Sequence, residues 1–132
     1  GFIQYQFQLP LLDCLKNLKL IINKIYESKA YVTLGVLKKF GKANKNLLSF
    51  PDEGFTLALD FKMSKNTLHL IRELDEIILS MSGRVYLTKD ATLTESTFKK
   101  MYKNWYEFEN IRSKYFAIGK FESSQSIRLG LK

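Results

Sequence analysis

A chain of 132 residues with 45% hydrophobic content suffices for one compact core and falls short of two ordinary domains. Ten Phe, seven Tyr and one Trp exclude a disordered segment, which lacks the apolar surface to offset ordering entropy, and one cysteine, Cys14, excludes a disulfide framework or a Cys-based zinc or redox pair. The formal charge of +8 favours anionic partners such as nucleic acid, phosphorylated ligands or acidic membrane surfaces without choosing among them.

Ile3, Tyr5, Phe7 and Leu9 alternate with Gln4, Gln6 and Gln8, the period-two signature of a strand with one greasy and one polar face, so residues 2–9 are expected as a strand. Leu11, Leu15, Leu18, Ile22 and Ile25 then recur at helical spacing and predict an amphipathic helix over about 11–28. A second strand is expected over 31–40, ending at Gly41 before a polar loop, and a third over 55–63 with Phe55, Leu57, Leu59 and Phe61 on one face. Ser64 or Asn66 can cap the next helix, whose stripe is Ile71, Leu74, Ile77 or Ile78, and Met81, with Gly83 as its left-handed stop. Arg84–Thr88 reads as a short strand that would complete a ferredoxin-like unit. Beyond Asp90 two short helices, 94–102 and 105–115, precede an irregular tail. The fold class is therefore α+β, a mixed or antiparallel sheet backed by helices in β-α-β-β-α order with a short helical carboxyl-terminal segment, and the change of texture near Lys89 divides 1–88 from 89–132.

Little in this pattern is catalytic by itself. His69 is the lone histidine, so no Ser-His-Asp triad or His-rich metal site can be assembled, and it reads as a helix-surface residue. Glu73, Asp75 and Glu76 read as solvated helix charges. The basic loop from Phe40 to Lys45 lacks the paired glycines of a phosphate-binding loop. A basic ferredoxin-like module is the alternative, either a structural interaction domain or a binder of nucleic acid through Tyr31, Phe55 and Phe61, the latter weakened because the diagnostic run of the RNA-recognition motif is absent. Asp13, Lys16 and Lys19 interrupt the most apolar stretch, which is too short to span a bilayer, so a soluble, cytoplasmic chain is expected. The start at Gly1, directly inside a strand pattern and without a signal sequence, reads as a cut from a longer polypeptide.

Several runs together resemble one family: Gln4-Tyr5-Gln6-Phe7 with Pro10, Val36-Leu37-Lys38 before Phe40-Gly41, Leu48-Ser49-Phe50-Pro51, and Gly54 to Phe61. The resemblance continues through Gly83-Arg84-Val85-Tyr86-Leu87-Thr88-Lys89-Asp90, Met101-Tyr102 and Arg128-Leu129, over nearly the whole chain. It is to the carboxyl-terminal part of the FAD-linked sugar oxidases of the decaprenylphosphoryl-ribose oxidase type, and more loosely to the sugar-lactone and alditol oxidases. The resemblance implies an amino-terminal FAD-binding domain outside this chain, a substrate domain to which 1–88 belongs, and a last segment, 89–132, that returns to the FAD-binding domain. It implies oxidation of a sugar hydroxyl, on a lipid-phosphate-linked pentose, by hydride transfer to flavin, with a reductase as a further partner and an association with the membrane surface. The fragment alone is expected to be inactive.

Carried over position by position, the resemblance makes Gln4 and Gln6 the glutamine pair that faces flavin and substrate, Lys38 a substrate-pocket lysine, and Lys89 the lysine nearest the flavin. Tyr86, expected on the same strand face as Lys89, would line the same site. Thr56 and Ala58 stand where the mycobacterial-type enzymes have Asn and Cys, Gly35 replaces another pocket asparagine, and Phe116-Ala117 follows Arg112 where the family has Asp-Pro. These departures touch the pocket's hydrogen bonding and the choice of sugar. Phe50 and Phe55 are expected to be packing residues.

Overall fold

The computed structural model describes residues 1–131. Strand β1 spans Phe2–Pro10 and pairs antiparallel along its whole length with β3, Gly54–Lys62, in a register that sets Ile3 opposite Phe61 and Leu9 opposite Phe55. The edge strand β2, Val32–Phe40, lies outside β3, and the two-residue β4, Arg84–Val85, lies on the other side of β1. The order β2-β3-β1-β4, every pairing antiparallel, is the split β-α-β arrangement of ferredoxin-like folds.

The expected alternation in β1 divides the sheet. Ile3, Tyr5, Phe7 and Leu9 sit in one core with Leu57, Leu59 and Phe61 and with the two long helices, α1 (Cys14–Glu27) and α2 (Lys65–Ser80). The opposite face carries the glutamines. Of the two caps the sequence offers for helix α2, Ser64 is the one used, its hydroxyl accepting from the Thr67 amide at 3.0 Å, and Asn66 lies inside the helix. The single histidine, His69, lies on its exposed side beside Glu73.

Three local expectations are corrected. Helix α1 begins at Cys14 rather than 11, because β1 runs on to Pro10 and the chain then turns through Asp13 at φ 53°. The later start rotates the buried stripe to Cys14, Leu18, Ile21 and Ile25, and leaves Leu11, Leu15 and Ile22 exposed. Both stripes have helical period and share Leu18 and Ile25, so periodicity alone could not fix the phase. At the end of α2 the left-handed residue is Ser82, at φ 58°, and not Gly83. Gly83 N–H reaches the Ile78 carbonyl at 2.9 Å and Ser82 N–H the Leu79 carbonyl at 3.0 Å, which together make a Schellman ending with the glycine one place beyond the left-handed position. Finally, the tail is not irregular throughout: Ser124–Arg128 forms a short helix, α5, closed by a reciprocal Ser123–Ser126 capping box.

Helices α3 (Glu95–Met101) and α4 (Trp105–Lys114) fall within the expected spans. Leu93, Phe98, Met101, Tyr102, Leu129 and Leu131 are all buried in the same core as the sheet. Tyr102 O–H donates to the Val85 carbonyl at 2.6 Å, tying α3 to β4.

Gly83 is a glycine for space. A Cβ there would lie 2.5 Å from the Gln8 carbonyl oxygen and 2.8 Å from Ile78 Cγ2. The Gly83→Ala substitution must push α2 away from β1 and is expected to cost about 2–3 kcal/mol, against less than about 1 kcal/mol for Gly35→Ala, whose nearest neighbour would be 3.4 Å away. Urea titrations of the three chains measure both, and a Gly83→Ala midpoint equal to the parent's would contradict the close approach.

Candidate active site

The face of the sheet turned away from α1 and α2 is built in cross-strand rows. Antiparallel register places Lys38 of β2 opposite Thr56 of β3, Thr56 opposite Gln8 of β1, and Gln8 opposite Arg84 of β4, so these four side chains form one row across all four strands. The adjacent row is Val36, Ala58 and Gln6, joined by Tyr86, whose N–H donates to the Gln6 carbonyl at 2.8 Å. Gln4 lies one row further, opposite Asp60. Neighbouring strands are about 4.8 Å apart, so side chains in one row are within mutual reach.

Two of these groups are locked together. Gln6 Nε2 donates to Thr56 Oγ1 at 3.0 Å, and Thr56 in turn donates to the Phe7 carbonyl at 2.8 Å. The threonine has one proton and spends it on the carbonyl, so it can only accept from Gln6, which fixes the amide's orientation. No hydrogen bond to Gln6 Oε1 is made among the described residues, so the fixed amide presents a free acceptor. Gln4 and Lys38 are exposed on the same face. Gln8 is buried and reaches the Glu53 carbonyl at 3.4 Å.

One wall of this face is aromatic. Phe50, from the long loop between β2 and β3, is buried by stacking on Tyr86, with ring centroids 4.6 Å apart, and meets Phe40 edge to face at 5.7 Å. Arg84 pins that loop through the Ser49 carbonyl at 3.2 Å and the Asp52 carboxylate at 3.1 Å. Phe50 is thus a packing residue that also bounds the face, and the loop's basic composition gave no sign of this.

Tyr86 and Lys89 do not share a strand. Strand β4 stops at Val85 and residues Leu87–Lys89 form a 3-10 turn against β1, with Lys89 N–H returning to the Tyr86 carbonyl at 2.9 Å. The β-prone run Val-Tyr-Leu-Thr is overruled by Asp90, whose carboxylate accepts from the Thr92 and Leu93 amides at 3.0 and 2.9 Å and turns the chain toward α3. Lys89 is half-buried in the turn that follows Tyr86, and no side-chain bond joins it to Gln4, Gln6, Lys38 or Thr56 among the described residues. Gln6 and Thr56 are therefore directly joined, Lys38 and Gln4 flank them on the same face, Tyr86 stands at its edge, and Lys89 follows in the turn without a side-chain contact to the others among the described residues.

The same register removes the stacking surface of the nucleic-acid alternative. Phe55 and Phe61 pair with Leu9 and Ile3 and face the helices, while Tyr31 precedes β2. An RNA-recognition sheet needs its aromatics on the open face.

The family model described as D-arabinono-1,4-lactone oxidase matches residues 2–129. The chain belongs to the D-arabinono-1,4-lactone oxidase family. It is 37% identical over 131 residues, 99% of its own length, to the decaprenylphosphoryl-beta-D-ribose oxidase of Mycolicibacterium smegmatis, and covers 28% of that protein. It is 29% identical over 119 residues, 89% of its length, to an uncharacterized protein in the mprA 5'region of Streptomyces coelicolor, and covers 32% of it. The chain thus spans about a third or less of the length of both relatives.

Asp75, expected from the sequence to be a solvated helix charge, is instead buried between α2 and the sheet. It accepts from Tyr5 O–H at 2.8 Å and from Thr92 O–H at 2.6 Å, and so joins β1, α2 and the segment that follows Lys89. The signal available in the sequence was the core side of the α2 stripe, since Asp75 directly follows Leu74 and lies four residues from Ile71 and three from Ile78. Burial raises the Asp75 carboxyl from its usual 3.8 to about 6; the Thr92 and Tyr5 hydroxyls oppose this, and the charges of Asp90 and Glu76 add to it.

Because this pKa is raised in the folded state, the native protein binds the proton more tightly than the unfolded chain. The contribution is present in full below about 4 and is lost as pH rises through about 6, a change on the order of 2–3 kcal/mol. Asp75→Asn, which keeps an acceptor for Tyr5 and carries no charge, is expected to flatten the urea-stability profile between pH 4 and 6 and to raise stability at pH 8. Parallel profiles for parent and variant would contradict this assignment.

Proposed function

We propose that the intact protein is an FAD-dependent oxidoreductase that oxidises a sugar hydroxyl, and that the glutamine-bearing face of this sheet, with Gln4 and Lys38 exposed and Gln6 and Thr56 buried between them, is part of its substrate surface. The observation that carries the reading is the shared face of Gln4, Gln6, Lys38 and Thr56, the positions that the family resemblance selects, with Tyr86 at its edge and Lys89 three residues further along the chain. A sugar carried on a lipid phosphate is the substrate class suggested by the name of the mycobacterial relative. Its anionic phosphate would suit a chain of formal charge +8.

The residues of this chain fit the sugar side of such a site better than the dinucleotide side. Amides, a threonine and lysines suit hydroxyl groups and a developing oxyanion. A diphosphate needs a glycine-rich turn of converging N–H groups, and the described glycines are isolated from one another. The flavin would accordingly be held mainly by an amino-terminal FAD-binding domain of the same polypeptide, and this chain alone would be inactive. Residues 1–88 then belong to the substrate-binding domain, and 89–132 return toward the FAD-binding domain. Supporting that return, Tyr115, Phe116 and Phe121 are more than 70% exposed around the turn after α4. A reductase would serve as a further partner. The expected setting is cytoplasmic, at the membrane surface that holds a lipid-linked sugar; no helix among the described residues is long and apolar enough to cross a membrane.

Bound flavin supplies the hydride acceptor. Gln6, its amide fixed by Thr56, would accept a hydrogen bond from a sugar hydroxyl through Oε1 and so orient the ring. Gln4 and Lys38 would bind flanking hydroxyls or the phosphate. The Lys89 ammonium would stabilise the sugar oxygen as negative charge develops on it during hydride loss. Phe50 and Tyr86 would exclude water from one side.

Lys89→Met in the intact protein is expected to slow flavin reduction by about a hundredfold or more while shifting stability by less than about 0.5 kcal/mol. Rapid-mixing absorbance measures it, with D-arabinono-1,4-lactone or decaprenylphosphoryl-β-D-ribose as reductant, whichever bleaches the parent. An unchanged rate would remove Lys89 from the site.

A further inference from the structure

The 3-10 turn that carries Lys89 has little to hold it from within. Its own backbone bonds are Lys89 N–H to the Tyr86 carbonyl at 2.9 Å and Asp90 N–H to the Leu87 carbonyl at 3.4 Å. It is held from outside, by a buried carboxylate and by a helix more than thirty residues further along the chain. The Asp90 side chain is 1% exposed. Besides the Thr92 and Leu93 amides, its oxygens accept from Arg128 Nη2 at 2.9 Å, Arg128 Nη1 at 3.4 Å and Gln125 Nε2 at 3.3 Å. Gln125 Nε2 also donates to the Leu87 carbonyl and Arg128 Nη1 to the Leu93 carbonyl, both at 2.5 Å. The turn from Leu87 to Leu93 is therefore gripped at its first carbonyl, its middle carboxylate and its last carbonyl by two side chains of α5.

Helix α5 is itself fixed. Leu129 and Leu131 are buried in the core. Gly130 follows in the left-handed region at φ 68°, where a Cβ would collide with the Glu95 carboxyl group of α3. The whole sequence of contacts runs from the core through Leu129 to Arg128 and Gln125, and from there to Asp90 and the turn. Thr92, held by Asp90, also donates to Asp75 from the other side.

We propose that Asp90, Gln125 and Arg128 are positioning residues for Lys89, so that the carboxyl-terminal helix sets where the lysine's ammonium stands. The inference rests on the reading that Lys89 faces the flavin. A lysine is a point charge on four flexible carbons, and its useful location depends on where its backbone is anchored. A unit charge that retreats by about 2 Å from near contact loses about a factor of ten in an equilibrium constant at an effective dielectric near 20. Removing Asp90 or Arg128 outright would leave a buried charge unpaired and threaten folding. The informative variants are milder: Arg128→Lys keeps the charge and loses the two-pronged grip, and Gln125→Ala releases the Leu87 carbonyl.

The test is a double-mutant cycle in the intact protein, read as the equilibrium of flavin reduction against a reference dye, which requires no sugar and no turnover. Lys89→Met is expected to lower the reduction equilibrium constant about tenfold or more, and Arg128→Lys and Gln125→Ala by about threefold to tenfold each in the Lys89 background. In the Lys89→Met background neither is expected to add anything. If Lys89→Met has no effect, the placement of Lys89 at the flavin fails and the inference fails with it. If Lys89→Met has its effect but the α5 variants change nothing, or change the equilibrium equally in both backgrounds, Lys89 stays in the site and the positioning role alone is overturned. Amide exchange at Thr92 and Leu93, faster in Arg128→Lys, checks that the clamp has been loosened.

Discussion

The nine-residue antiparallel pairing of β1 with β3 fixes what each face of the sheet can be. Side chains alternate along a strand, so a slip of one residue would drive Gln4, Gln6 and Gln8 against α1 and α2 and turn Tyr5, Phe7 and Leu9 outward. Burying unpaired amides costs on the order of 1–3 kcal/mol each, and exposing those apolar side chains a similar amount each, so the register is held by many kcal/mol in total. With the register fixed, Thr56 falls within reach of Gln6 and Lys38 falls beside Thr56. The polar row that makes the candidate site is a consequence of the same alternation that builds the core.

Behind that face the molecule uses carboxylates as joints. Asp75 links strand, helix and the segment after Lys89 through two hydroxyls, and Asp90 links that segment to α5 through an arginine and a glutamine. Their roles differ in kind. Asp75 is desolvated with no cation beside it among the described residues and carries a raised pKa, whereas Asp90 has Arg128 at 2.9 Å and two backbone amides to satisfy its oxygens. A buried carboxylate with that much compensation defines geometry more than it adds stability. Here the geometry defined is that of the turn bearing Lys89.

Much of this was legible in the sequence where a single local period decided the outcome. The alternation of β1 gave the strand and the common face of Gln4 and Gln6, and the Ser64 cap gave the start of α2. The misreadings arose where two readings had equal local support. The stripes through Leu15 and Cys14 fit α1 equally well, and the turn at Asp13 chose between them. Gly83 marked the end of α2 correctly, but its role is the approach to Gln8, which depends on a strand seventy-five residues earlier. The strand expected through Thr88 ended early because Asp90 bonds to its own downstream amides. Least legible were Asp75 and the grip of Arg128 on Asp90, since the side-chain partners concerned are 17 to 70 residues distant and a carboxylate looks the same in sequence whether it is solvated or buried.

The central claim, that this sheet supplies the sugar face of a flavin enzyme, is tested most directly by the visible absorption spectrum of the intact protein, recorded beside that of this chain alone before and after adding D-arabinono-1,4-lactone or decaprenylphosphoryl-β-D-ribose. The account predicts a two-banded flavin spectrum in the intact protein that one of these sugars bleaches, and a colourless isolated chain. An intact protein without flavin, or one whose flavin no sugar reduces, would contradict the claim, and stoichiometric flavin on the isolated chain would contradict its dependence on an amino-terminal FAD-binding domain.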